Sequence, residues 1–258
     1  DFLSELKQHV FPSVPGVRIF IFCSDENLGF TGGMNYLTGK IDLDAFDYLF
    51  LLNNDATVNP DTIATLVEVS NRHDFELVGP ATKNNPAACG RRWPEWLFGI
   101  QVPGRFDQDK NGWNSFNVDG SAVLISCLAA KKIISKRKQL LVNKLFLYTE
   151  DTELGLYARR LGYESFVTRE AGFHHSRGDY ASKRRLGIAH YYMSRNRLYL
   201  AGEYLSVPLK PLFHFNYLFS RLVILTCQYL KGNRNNCLAI WQGLIDGYRG
   251  RYGKWKLH

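Results

Sequence analysis

Three polar residues, Asn53-Asn54-Asp55, follow directly on five apolar ones, Tyr48 to Leu52. An apolar run of that length reads as a strand buried on both faces, so a carboxylate at its end needs a reason. A second junction of the same kind sets Thr149-Glu150-Asp151 after Leu145 to Tyr148. Asn and Asp are also ordinary cap and turn residues. In open α/β sheets, however, ligands sit outside the carboxyl ends of the strands, and two acidic strand ends point to one shared site. An Asn-x-Asp at a strand end offers hard oxygen ligands of the kind Mg²⁺ or Mn²⁺ take together with substrate phosphates, Asp55 being the principal ligand. The Glu150-Asp151 pair then supplies a general base.

The elements that must position these groups alternate. VRIFIFC (17–23) reads as a strand and NLGFTGGMNYLTG (27–39) as a glycine-rich turn into a helix. A helix capped by Asn59 and opened by Pro60 follows the second strand and runs to about Asn71. LVGP (77–80), SAVLIS (121–126), LFLY (145–148) and SFVT (165–168) read as further strands, with helices after Ser126, over 152–162 and over 183–203. Residues 83–118, rich in Gly, Pro, Asn and Trp, read as a long functional loop. This alternation predicts an α/β three-layer sandwich with a mostly parallel central sheet. The segment 211–231 is helical and largely apolar but carries His214, Asn216, Arg221 and Gln228, which argues against a membrane span. It either packs on the core or lies in a membrane interface.

A chain of 258 residues with 45% hydrophobic and 22% charged residues can bury a sizeable core, in one large domain or two small ones. The formal charge of +8 suggests an anionic partner, a membrane surface or a phosphorylated substrate rather than nucleic acid, for which no motif appears. Five cysteines without close pair spacing suit reduced thiols in a cytosolic compartment.

NLGFTGGMN, LLNNDATVNP, DGSAVLIS, FLYTEDTELGLYARRLGY, HHSRG and YYMSRNRLYL follow one another in order, and together they resemble the family 2 glycosyltransferases of GT-A fold, especially a bacterial rhamnosyltransferase-like branch. The resemblance covers roughly residues 17–200. It implies a GT-A-like domain over 1–204 and a helical C-terminal extension over 205–258. Asn53-Asn54-Asp55 matches the DxD-type motif, with Asn53 in place of an acid. Asp151 matches the catalytic base and Glu150 its neighbour. His175 of the pair 174–175 matches a metal-binding histidine, His174 being the substitute. Asp119-Gly120 resembles an acceptor-side motif, against a plain turn. Gly32 and Asn35 would face the nucleotide, against a tight turn before a helix. Arg195, loosely placed like the arginine of a QxxRW motif, would face the diphosphate. Trp93, Trp96 and Trp113 either stack on sugar or anchor the loop, and Lys183-Arg184-Arg185 form a solvated basic face or hold an anionic carrier.

What the resemblance implies overall is a metal-dependent inverting transfer of a sugar, a rhamnose-like deoxyhexose favoured, from a nucleotide-diphosphate donor. The acceptor is a saccharide or a polyprenyl-diphosphate-linked one, in cell-surface polysaccharide synthesis on the inner face of the cell membrane. Such enzymes normally begin with a strand–helix–strand unit whose aspartate reads the base, and none is found before residue 17, so the domain is expected to be N-terminally incomplete. Two other classes compete. A degenerate GT-A-like module would bind saccharide or a partner without catalysis. A sugar-nucleotide nucleotidyltransferase would carry a basic glycine-rich N-terminal loop, which this sequence lacks.

Overall fold

The computed structural model describes residues 18, 20–81, 111–175 and 183–256, with side chains between 183 and 186 left aside. Its central sheet has five strands in the order β1-β5-β3-β6-β4, where β1 is Tyr48–Leu52, β3 Leu77–Pro80, β4 Gly112–Ser115, β5 Ala122–Ser126 and β6 Ser165–Thr168. β5 runs antiparallel to both β1 and β3, β3 is parallel to β6, and β4 closes the sheet antiparallel to β6. β1, β3 and β6 therefore share a direction, and the sheet is mixed because β5 inserts between two of them. A separate ribbon pairs β2 (Ala56–Val58) with β7 (Phe173–His175).

Alternation along the strands builds the layers. Leu51, Val123 and Ile125 face a cluster with Ala129, Ala130 and Ile133 of α3 (Cys127–Arg137) and Leu154 and Ala158 of α4 (Glu150–Arg160), to which Phe30 and Met34 of α1 (Gly29–Thr38) add. Val78, Leu124 and Phe166 face the other way, onto Leu66 and Val69 of α2 (Thr62–His73). Helices thus cover both faces, which gives the expected three-layer α/β architecture. The buried carboxylate of Glu153 in α4 receives two hydrogen bonds from Arg137 at the end of α3, at 2.7 and 2.9 Å, and so ties the two helices together.

A second, all-helical core lies beside this sandwich. α5 (Lys183–Tyr204), α6 (Lys210–Leu230) and α7 (Arg234–Tyr248) bury Leu198, Phe213, Tyr217, Ile240 and Leu244 together with Phe116 and Leu156. Residues on both sides of the expected 204/205 boundary share that core.

Three local expectations change. The described residues of VRIFIFC (18 and 20–23) join no strand, and Phe20 and Phe22 are exposed and stack on each other at 6.4 Å. LFLY is not a strand either. A 3₁₀ turn over Asn143–Leu145 leads into Phe146, Tyr148 and Thr149, all left-handed. β4, finally, lies inside the stretch read as loop; residues 82–110, with Trp93 and Trp96, fall outside the described set. Trp113 of β4 packs on the core.

Candidate active site

The polar triple after β1 forms a turn, closed by Ala56 N donating to Asn53 O at 3.1 Å. Asn53 N donates to Ser121 O at 2.9 Å, which docks this turn on the one opening β5. In that second turn, Asp119 Oδ1 accepts from Ser121 N (2.9 Å) and from Ser121 Oγ (2.6 Å). The β2–β7 ribbon brings in the third part, since Ala56 pairs with His175. His175 Nε2 lies 3.0 Å from Asp55 Oδ1 and Nδ1 lies 3.2 Å from Ser121 Oγ. Its neighbour His174 is exposed, as strand alternation requires.

The fourth part is the N-terminus of α4. A Cβ on Gly120 would stand 3.4 Å from Asp151 Cβ and 3.8 Å from Glu150 Oε1, so the 119–121 turn lies directly against the acidic pair. Asp151 accepts from Thr152 N (2.6 Å), Thr152 Oγ1 (3.2 Å) and Asn117 Nδ2 (3.4 Å). The Glu150 residue keeps some surface, but its Oε2 is buried without a partner. Burial first, then the charges of Asp151 and Asp119, push its pKa up to about 8. At neutral pH, Glu150 is therefore a proton-bearing neighbour of Asp151.

Of the seven buried side-chain polar atoms without a partner among the described residues, four belong here: Asn53 Oδ1, Asn117 Oδ1, Thr149 Oγ1 and Glu150 Oε2. Unsatisfied buried polar atoms are costly and are normally rare, so their concentration here singles this place out as a candidate site. Backbone strain collects at the same place. Three of the five described non-glycine residues with positive φ are Phe146, Tyr148 and Thr149, immediately before Glu150.

The donors suit a divalent cation. Ser121 has one hydroxyl proton, and the 2.6 Å approach to Asp119 places it there. His175 lies between the two turns, with Nδ1 against Ser121 Oγ and Nε2 against Asp55. A ring nitrogen and a carboxylate oxygen 3.0 Å apart can share a proton or stand as adjacent ligands of a metal. That separation is also the spacing of adjacent ligands around an octahedral cation with bonds of about 2.1 Å. Among the described residues no three His, Cys, Asp or Glu side chains are grouped to hold a metal.

Asp55, His175, Asp119, Gly120, Glu150 and Asp151 are thus brought together, with Asn53 at the edge and Asn54 exposed. Three expected residues are elsewhere. Arg195 does not face an open pocket. It is fully buried, donating to Gly253 O (2.5 Å), Lys144 O (3.1 Å), Leu145 O (2.8 Å) and Asn196 Oδ1 (2.9 Å). Asn35 is occupied by the 140–143 segment, accepting from Leu140 N and Leu141 N and donating to Leu141 O and Asn143 Oδ1. Gly32 is half-buried in α1, where a Cβ would stand 3.0 Å from Leu28 Cβ one turn earlier and 3.8 Å from Asn143 Oδ1. Lys183-Arg184-Arg185 have no described side chains. Ser121 and Asn117 were not singled out from the sequence, although Ser121 stands beside Asp119-Gly120 and shares its turn.

No protein-family model and no curated protein sequence matches the chain. Among solved structures, a crystal structure of GalNAc-T7 with UDP, GalNAc and Mn²⁺ is similar over 76% of this chain, at 12% identity and a TM-score of 0.46. The chain spans 43% of the length of that one, and a likeness this slight assigns no activity.

Proposed function

We propose that the chain transfers a sugar from a nucleotide-diphosphate donor to a saccharide or lipid-linked acceptor with inversion at the anomeric carbon. The observation that carries this reading is the meeting of Asp55 and His175 with Glu150 and Asp151 on either side of the 119–121 turn, where four buried polar atoms are unpaired. Asp55 and His175, with Asn53 Oδ1 within the same turn, would hold Mg²⁺ or Mn²⁺. The ion when bound neutralises the diphosphate. Asp151, oriented by Thr152 and Asn117, takes the proton of the acceptor hydroxyl as the sugar–phosphate bond breaks, a contribution of roughly 10²–10⁴-fold in rate. Glu150, proton-bearing beside it, keeps the pair to one negative charge and so leaves a single base.

A rhamnose-like deoxyhexose donor, a polyprenyl-diphosphate-linked acceptor, a role in cell-surface polysaccharide synthesis and a place on the inner face of the membrane follow from the resemblance of the six motifs. A non-catalytic module that binds saccharide or a partner is favoured by one observation, Asn53 standing where a DxD-type motif has an acid.

Calorimetric titration with nucleoside diphosphates and Mn²⁺, alongside a transfer assay, separates the two. Asp55→Ala is expected to weaken nucleotide binding and its dependence on Mn²⁺. Asp151→Asn is expected to keep binding and lose transfer by about 10²-fold or more. Transfer by Asp151→Asn at the wild-type rate removes the base, and no nucleotide binding with any metal leaves the module.

A further inference from the structure

α6 is turned inside out relative to an ordinary surface helix. Its arginine and glutamine point inward: Arg221 is buried, and Gln228 Oε1 accepts from Asn233 and Asn236 at 3.0 and 2.9 Å, while the exposed Thr226 turns its hydroxyl back onto Leu222 O. Its outward side carries Phe215 (72% exposed), Phe219 (64%), Leu222 (61%), Tyr229 (69%) and Leu230 (78%). At 100° per residue these project from one side of the helix, opposite the buried Phe213, Tyr217 and Arg221. A continuous apolar face of this extent marks a contact surface rather than ordinary scatter.

The charge says what the face meets. From Tyr204 to His258 the sequence has eight Lys or Arg against one acid, Asp246, so this quarter of the chain holds nearly all of the +8. Lys231 and Arg234 follow the end of α6, so basic groups stand at one end of the apolar face, while Lys210 at its start donates to Gly202 O at 2.8 Å. No acidic residue lies between Glu203 and Asp246. The same arrangement disfavours a second copy, because pairing the faces would bring like charges together. No helix among the described residues is long and apolar enough to cross a membrane.

We propose that α6 seats the protein on an anionic membrane, with its axis in the plane of the headgroups, its outward side chains at the acyl boundary and its terminal bases among the lipid phosphates. This stands independently of the sugar-transfer reading. A transferase with a soluble acceptor would leave it intact, and membrane seating without transfer is equally consistent with it.

The test is sedimentation of the full chain with vesicles of about one part phosphatidylglycerol to three of phosphatidylcholine, and with phosphatidylcholine alone. Binding to the anionic vesicles, weakened by salt, is expected. Phe219→Glu with Leu222→Glu should reduce it by roughly tenfold or more with Tm unchanged, since both side chains face out. Lys231→Glu with Arg234→Glu should reduce it at low salt only. Equal binding by the apolar variant overturns the proposal. So does a wild-type dimer, seen by ultracentrifugation, that the same substitutions dissolve. A large fall in Tm would also overturn it, by showing the face covered by other residues of the chain.

Discussion

Glu150 carries a consequence that does not depend on any ligand. Its native pKa is raised to about 8 from the ordinary 4.5, burial being the larger cause and Asp151 the next. Between those values the native carboxyl keeps its proton while that of the unfolded chain has lost it. The native state binds more protons, so stability falls as pH rises through the window and stays lower above it. Glu150→Gln does not titrate. The variant should match wild type in acid and exceed it above pH 8, by about 1–3 kcal/mol given roughly 1.4 kcal/mol per pKa unit and some discount for the exposed edge. Melting temperatures across that range check it, and parallel curves for the two proteins would show that the carboxyl ionises normally. The same residue illustrates what could be read in advance. Glu150, Asp151 and Asp55 were recognisable because acids after apolar runs are unusual. The contact of His175 with Ser121 was not, since it depends on the distant pairing of Ala56 with His175 in the β2–β7 ribbon.

At the scale of elements, the acidic pair is held by what surrounds its strained loop. Asn196 Nδ2 donates to Leu145 O (3.1 Å), Leu147 O (2.9 Å) and Tyr148 O (2.8 Å), and Arg195 Nη2 to Lys144 O and Leu145 O. α5 thus holds the carbonyls of the segment whose left-handed residues turn the chain into α4. On the far side, a Cβ on Gly155 would stand 2.0 Å from Phe116 O. α4 can therefore lie against 116–117 only with glycine there, and that close approach brings Asn117 to Asp151 one turn earlier. Asn196→Ala leaves Leu147 O and Tyr148 O without this donor, while Leu145 O keeps Arg195. It should cost about 2–4 kcal/mol in stability, and in the fraction that folds kcat should fall further than KM rises, as the base is misplaced rather than removed. Unchanged kcat at lowered Tm would give Asn196 a purely structural place. None of this shows in composition. LFLY has the residues of a strand, and left-handed φ at Phe146, Tyr148 and Thr149 leaves no compositional mark. Arg195 and Asn196 lie in a helix buried on most sides, where an inward arginine and an outward one look alike in sequence. β3 and β6, with their apolar runs, agree residue for residue with the reading of LVGP and SFVT.

Over the whole molecule, the two cores meet at the site. Phe116 and Leu156 belong to the helical core, whereas Asn117 and Leu154, their neighbours, face the acidic pair and the sandwich. The C-terminal segment closes the connection. Gly253 N donates to Lys144 O at 2.8 Å, Gly253 O accepts from Arg195, and Trp255 stacks on Tyr191 at 4.4 Å while its amide donates to Tyr192 Oη at 2.8 Å. Tyr192 in turn stacks on Phe146 at 5.5 Å, the first of the left-handed residues before Glu150. A chain of packed groups therefore runs from the last described residues to the loop before the acidic pair, through Tyr191, Tyr192 and Arg195 of α5. Trp255→Ala removes the stack and loosens Gly253 on Arg195. About 1–3 kcal/mol of stability should be lost, and hydrogen exchange at Leu147 to Asp151 should rise although the substituted residue is remote in sequence. Faster exchange confined to residues 249–256 would mean that the C-terminal segment lies against the site loop without supporting it.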